Sequence, residues 1–209
     1  MAGIPEWILL KVSQVIDGVV AQTCKRHHGA PTQEHQLTAK IAQALEMELN
    51  GLQIAGLAIA VQDFPDKGPG SLEKKTGADL YISIVYQTPG DDVNKGMLVQ
   101  SKRSDALRSA TKKLDEQQED MLEHTDSAYV WIYETLGIAV APAGSVRRGK
   151  VDPEEILTVG ELVADGLRCT QGDPGLGRDL DLPIGESVRG AMEQLSIRHA
   201  LALTFQQLE

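Results

Sequence analysis

The chain has 209 residues, is 42% hydrophobic and carries a formal net charge of −10, which argues for a globular protein and against one that coats nucleic acid through overall positive charge. Its two cysteines, Cys24 and Cys169, stand alone, so neither a zinc site nor a disulfide framework is indicated. No apolar run has the length of a membrane span and no signal-peptide pattern is present. We therefore expect a cytoplasmic protein.

Apolar residues at helical spacing predict a first helix over residues 4–25 and a second over 31–49, with Thr32 as its N-cap. A strand is predicted over 52–62. We expect the N-terminal helix, within residues 1–30, to pack on a core formed by residues 31–146.

The middle of the chain predicts two strands, 78–87 and 96–102, followed by a long helix over 104–125 that Ser104 or Asp105 caps. Two further strands are predicted over 127–134 and 137–143. Strands and helices in this order predict an α/β fold, a mixed sheet flanked by helices that is not doubly wound. Residues 147–209 are predicted to form a C-terminal helical extension, with helices over 152–169 and 185–205.

Polar residues interrupt this apolar pattern where the predicted strands begin or end. Gln100 and Lys102 share one face at the end of their strand because side chains alternate along a strand. If that strand pairs as a hairpin with the preceding one, Asp79 faces both residues across the sheet. Glu34 opens the helix that precedes these strands.

This grouping has a chemical use, since an aspartate and a glutamine carbonyl are oxygen ligands suited to Mg²⁺. A lysine beside them would hold the water that attacks a phosphodiester. A structural interpretation remains open, in which Asp79 caps a turn, Gln100 satisfies backbone groups and Lys102 pairs with Asp79 or reaches water.

The set Glu34, Asp79 and Gln100-Ser101-Lys102 resembles the PD-(D/E)XK nuclease superfamily, in the variant in which Gln replaces the second acid, as in Mrr-type restriction endonucleases. The resemblance covers about residues 31–140 and includes the αβββαβ element order of that core. It implies a restriction-endonuclease-like fold, with Asp79, Gln100 and Glu34 at a Mg²⁺ or Mn²⁺ site and Lys102 positioning the water. One departure is Ala78, where the superfamily pattern has proline.

Gln117 shares a predicted helix face with Leu114 and Met121, so we expect it either to add a polar contact to the site or to bond to backbone in the core. Residues 95–113 hold six lysines and arginines against one acidic residue. This basic run predicts a DNA-facing surface, although a solvated helix face would have the same pattern. The candidate DNA contacts within the run are Lys95, Arg103, Arg108 and Lys112.

These observations predict a Mg²⁺-dependent endonuclease that cleaves DNA, in restriction, antiviral defence or repair. With little sequence left for a separate recognition domain, we expect a homodimer or a partner protein subunit. The alternative is a catalytically inactive nuclease-fold subunit that binds DNA or protein within a larger DNA-processing complex.

Overall fold

The computed structural model describes residues 3–27, 33–65, 76–88, 92–107, 111–146 and 149–208. Within these ranges the fold is α/β, with one seven-stranded mixed sheet and five α-helices. The helices are α1 (Glu6–His27), α2 (Glu34–Leu49), α3 (Thr111–His124), α4 (Val159–Leu167) and α5 (Ile184–Gln194). The strands are β1 (Gln53–Ile54), β2 (Leu57–Phe64), β3 (Leu80–Gln87), β4 (Val93–Arg103), β5 (Ala128–Glu134), β6 (Gly137–Pro142) and β7 (Ala200–Gln207).

The strands lie side by side in the order β1-β2-β7-β3-β4-β5-β6. The predicted hairpin is confirmed, because β3 and β4 pair antiparallel with Leu80 opposite Val99. Strand β5 then lies parallel to β4 and places Val130 beside Gln100. The start of β3 and the end of β4 therefore share one edge of the sheet.

Helices cover both faces of the sheet. One apolar cluster joins α1, α2 and α4 to one face, and a second joins α3 and α5 to the other. Because side chains alternate along each strand, β4 contributes Val99 to the first cluster and Leu98 to the second. Gln100 and Lys102 lie two and four residues after Leu98, so their side chains are on the same face of the sheet as Leu98, the face that carries α3. None of the helices that the structure describes is long and apolar enough to cross a membrane.

The prediction of a single last helix over residues 185–205 is wrong. Helix α5 ends at Gln194, Ser196 adopts a positive φ of 54°, and β7 follows. Strand β7 lies between β2 and β3, antiparallel to the first and parallel to the second. The segment after residue 147 therefore supplies a central strand of the sheet and is not a helical extension. A strand buried on both faces reads as a continuous apolar run, which periodicity does not distinguish from a buried helix.

Three other predicted elements differ at their boundaries. Residues 104–107 form a turn, in which the amides of Ala106 and Leu107 bond to the Arg103 carbonyl, so α3 does not begin at Ser104 or Asp105. Residues 152–169 contain a 3-10 turn before α4, which begins at a Thr158 capping box. The predicted strand over 52–62 is split into β1 and β2 by a tight turn with positive φ at Ala55 and Gly56. The predicted N-cap Thr32 lies outside the described residues.

Truncation of a side chain in β7 tests whether the C-terminal segment belongs to the core. Phe205 is 0% exposed and packs in the cluster shared with α1, α2 and α4. We expect Phe205→Ala to lower the free energy of unfolding by about 3–5 kcal/mol, because it leaves a cavity in the core. Chemical denaturation measures this effect. The exposed neighbour Gln206 is the control, and Gln206→Ala is expected to change stability by no more than about 0.5 kcal/mol. Equal stability of the two variants would contradict the placement of β7.

Candidate active site

Asp79 is held at the start of β3 by its pairing with β4. Its backbone N–H donates to the Val99 carbonyl at 2.7 Å and thus extends the ladder by one residue. Its carboxylate Oδ2 accepts the backbone N–H of Ser101 at 3.1 Å and also the Gln100 side-chain amide. The antiparallel register therefore brings the carboxylate directly to the Gln100-Ser101-Lys102 segment.

The Gln100 side chain is 1% exposed and only half of its amide is satisfied. Its Nε2 group donates to Asp79 and to the Ser101 carbonyl, the latter at 3.1 Å. Its Oε1 atom is buried and has no hydrogen-bond partner. A buried acceptor without a donor is costly, and such atoms in native proteins often mark a functional position. The side chain that carries this unpaired oxygen is held to a carboxylate and a main-chain carbonyl through its Nε2 group.

Lys102 and Glu34 form an ion pair at the end of β4. Lys102 is 6% exposed, and its Nζ lies 3.7 Å from Glu34 Oε2. The other Glu34 oxygen, Oε1, accepts the backbone N–H of Arg103 at 2.9 Å. Glu34 is the first residue of α2, so this bond fixes the helix N-terminus to the strand end. The sequence left two possibilities open for the Lys102 ammonium, a pairing with Asp79 or contact with water. The structure shows an ion pair that the sequence did not suggest, with Glu34.

Buried hydroxyl groups tie α2 to the sheet beneath this ion pair. Thr38 Oγ1 lies 3.0 Å from Ser101 Oγ and 2.6 Å from the Tyr133 hydroxyl, and it donates to the Glu34 carbonyl at 3.0 Å. Burial raises the pKa of Tyr133 far above its ordinary value, so this hydroxyl stays protonated. The network holds α2, β4 and β5 in a fixed relation, with Glu34 one turn before Thr38.

Gln117 of α3 joins the site from the other side. Its side chain is 9% exposed, and its Oε1 is buried without a hydrogen-bond partner. The neighbouring Gln118 is the glutamine that bonds to backbone, since its Nε2 donates to the carbonyls of Ala143 and Val146 at 2.8 and 3.2 Å. Of the two expectations for Gln117, the structure therefore favours a place at the site.

Gly77 allows α3 to approach the segment before Asp79. It has a φ of +67°, and a Cβ atom there would lie 2.3 Å from the Gln117 carbonyl oxygen. Only glycine fits both the positive φ and this close contact. The contact sets the distance between Gln117 and the start of β3.

These residues face one cavity of about 430 Å³ at the edge of the sheet. Its lining residues are Gln33, Glu34, His35, Asp79, Gln100, Lys102, Arg103, Lys113 and Gln117. All five residues predicted as catalytic thus line the same space. Sequence reasoning missed Gln33, His35 and Lys113. Lys113 had a usable signal, because it lies one helical turn before Gln117 on the same face of α3.

The four residues predicted to contact DNA do not lie together on one surface. Arg103 lines the cavity, and its Nε lies 3.3 Å from Asp105 Oδ1. Lys95 lies near the opposite end of β4, is 7% exposed and donates from Nζ to the Gln171 carbonyl at 2.9 Å, so it is not free to contact DNA. The Lys112 side chain is 91% exposed, lies outside the cavity and pairs with Glu116. Arg108 lies outside the described residues.

Within the described ranges no group of three His, Cys, Asp or Glu side chains forms a metal site. The oxygen-bearing side chains of Asp79 and Gln100 line the cavity instead, and the Ser101 carbonyl lies next to Gln100 Nε2, from which it accepts a hydrogen bond. Hard oxygen donors with few carboxylates suit Mg²⁺, which keeps several of its waters. In the structure, Gln100 Nε2 donates to both the Asp79 carboxylate and the Ser101 carbonyl, and Gln100 Oε1 is left without a hydrogen-bond partner.

Comparison of the chain with protein-family models, curated proteins and solved structures finds no match in any of the three.

Substitution of Gly77 tests the close contact that positions Gln117. We expect Gly77→Ala to lower the free energy of unfolding by about 1–3 kcal/mol, because the positive φ and the Gln117 carbonyl both oppose a Cβ. Gly18 in α1 is the control, since a Cβ there would meet nothing within 4 Å. Gly18→Ala is expected to stabilise by about 0.5–1 kcal/mol through helix propensity. Denaturant melts of both variants measure the difference, and a neutral Gly77→Ala would disprove the contact.

Proposed function

We propose that the chain is a Mg²⁺-dependent nuclease that hydrolyses DNA phosphodiester bonds, with a restriction-endonuclease-like core of the PD-(D/E)XK type. One observation carries the proposal. A single cavity is lined by three residues from two adjacent strand ends, namely Asp79, Gln100 and Lys102, and the Gln100 Oε1 atom is buried without a hydrogen-bond partner.

The element order gives additional support to this proposal. Helix α2, strands β2, β3 and β4, helix α3 and strand β5 follow one another in the αβββαβ order of that superfamily. In the sheet, β7 stands between β2 and β3, which is an addition to this order. The addition leaves the β3–β4 hairpin and the parallel β4–β5 pair in place, and these are the parts that position the residues of the cavity.

Each side chain has a distinct task in the proposed reaction. Asp79, Gln100 and the Ser101 carbonyl would hold the cation, with Glu34 beside them. A bound divalent cation would lower the pKa of a coordinated water and neutralise charge on the phosphate in the transition state. The Lys102 ammonium would hold the attacking water by hydrogen bonding. Glu34 orients that ammonium through the 3.7 Å ion pair, while its bond to the Arg103 amide prevents the carboxylate from turning away.

Two substitutions distinguish metal binding from water positioning. We expect Asp79→Asn to weaken Mn²⁺ binding, measured by calorimetry, by about 10-fold or more, because a charged ligand is lost. We expect Lys102→Ala to retain Mn²⁺ binding but to slow plasmid cleavage by about 10²- to 10³-fold, the range for loss of one preorganised hydrogen-bond donor at the reacting atoms. Asp105→Asn is the matched control for the first variant, since Asp105 lies outside the cavity and its side chain is 71% exposed.

The outcomes separate the proposal from its alternative. Supercoiled and linear DNA should be cut by the wild-type chain with Mg²⁺ or Mn²⁺ and not with EDTA. Absence of cleavage, together with absence of any Mg²⁺ or Mn²⁺ binding that Asp79→Asn removes, would favour a catalytically inactive binding subunit. Equal cleavage by the wild type and Lys102→Ala would remove Lys102 from the mechanism.

A further inference from the structure

The basic residues of the cavity differ in how far their charge is already compensated. Lys102 is paired with Glu34, and Arg103 lies within 3.3 Å of Asp105. Lys113 lines the same cavity, is exposed, and forms no ion pair or hydrogen bond with any residue in the described ranges. It is therefore the cation of this cavity that is most available to an external anion.

Lys113 projects from a wall of the cavity that is built by α3 rather than by β4. It is the third residue of the helix, and the next residue, Leu114, is fully buried beneath it. Gln117 follows one turn later and lines the same cavity, with its Oε1 buried and unpartnered. The close contact at Gly77 holds this part of α3 against the segment before Asp79. Lys113 thus has a rigid base, although its own side chain is exposed.

We infer that Lys113 binds a backbone phosphate of the nucleic acid beside the phosphodiester that is cut. The inference rests on the proposed function and adds to it a residue that positions the substrate. A phosphodiester in this cavity would meet the Lys113 ammonium from α3 and the basic pair Lys102 and Arg103 from β4. Contacts to phosphate set the register and orientation of a strand, and they carry no sequence information.

The neighbouring Lys112 provides a matched comparison on the same helix. It carries the same charge, but its side chain is 91% exposed, is not among the residues that line the cavity, and pairs with Glu116 at 3.8 Å. Long-range electrostatic attraction would respond about equally to the loss of either lysine. A direct phosphate contact would respond only to the loss of Lys113.

The test measures the binding of a fluorescently labelled DNA duplex by anisotropy, with the chain carrying Asp79→Asn to prevent cleavage, over a series of salt concentrations. We expect Lys113→Gln to weaken binding about 5-fold or more and to reduce the slope of log K against log salt by about 0.9, the value for one phosphate contact on duplex DNA. Lys113→Arg should retain the slope because it keeps the cation. Lys112→Gln should leave both quantities within about 2-fold of the parent.

Kinetics in the otherwise wild-type chain give a second readout. Lys113→Gln should raise KM more than it lowers kcat, whereas Lys102→Ala should lower kcat, because the two residues are assigned to binding and to the reacting water. Parallel titrations with single-stranded DNA and with RNA show which phosphodiester backbone the residue holds. Because Lys113 is exposed, the melting temperature of the Lys113→Gln variant should remain that of the parent protein.

The outcomes distinguish failure of this inference from failure of the proposed function. If the wild-type chain cleaves DNA but Lys113→Gln behaves like Lys112→Gln in affinity, slope and KM, the phosphate contact is disproved and the nuclease proposal stands. If the wild-type chain neither cleaves nor binds any of the three nucleic acids, both are disproved. A loss of affinity that Lys113→Arg does not restore would also overturn the inference, since it would indicate a role other than charge.

Discussion

The candidate site depends on the register of one antiparallel strand pair. Leu80 lies opposite Val99, so the Asp79 amide reaches the Val99 carbonyl and the Asp79 carboxylate reaches the Ser101 amide. A slip of one residue would turn every side chain of β4 to the other face of the sheet. Gln100 and Lys102 would then leave the cavity, and Leu98 would leave its apolar cluster. The hydrophobic core thus enforces the position of the polar residues, because the same register satisfies both.

The buried polar groups at this edge differ in whether they have hydrogen-bond partners. Thr38, Ser101 and Tyr133 form a satisfied hydroxyl network, which in a low-dielectric interior is rigid. Gln100 Oε1 and Gln117 Oε1 lie buried without partners and therefore carry a desolvation cost. Both glutamines line the cavity, and the satisfied network lies on the α2 side. A rigid support beside unsatisfied acceptors is the arrangement that the proposed cation site would need.

Sequence patterns predicted which polar side chains lie together better than they predicted the sheet around them. Alternation along β4 and the hairpin with β3 were sufficient to bring Asp79, Gln100 and Lys102 together. The place of β7 was not accessible, because its apolar run suits a helix or a strand and its partners β2 and β3 are distant in sequence. Lys95 was misjudged for a related reason. Its charge is visible in the sequence, but the Gln171 carbonyl that accepts its hydrogen bond is distant in the chain. No sequence pattern near Gln171 indicates this contact.

The overall charge of the chain limits how the cavity can attract a polyanion. A net charge of −10 opposes nonspecific binding to nucleic acid, so attraction has to come from a local concentration of cations. Lys102, Arg103 and Lys113 provide that concentration against the carboxylates of Glu34 and Asp79, all around a single cavity. At physiological salt the Debye length of about 8 Å screens distant acidic residues more strongly than the cations that touch a bound strand. For the proposed nuclease, the acidic surface would therefore disfavour loose association with DNA and leave close contacts in the cavity largely intact. This would favour a strand that is seated in the cavity over one that is held elsewhere on the protein.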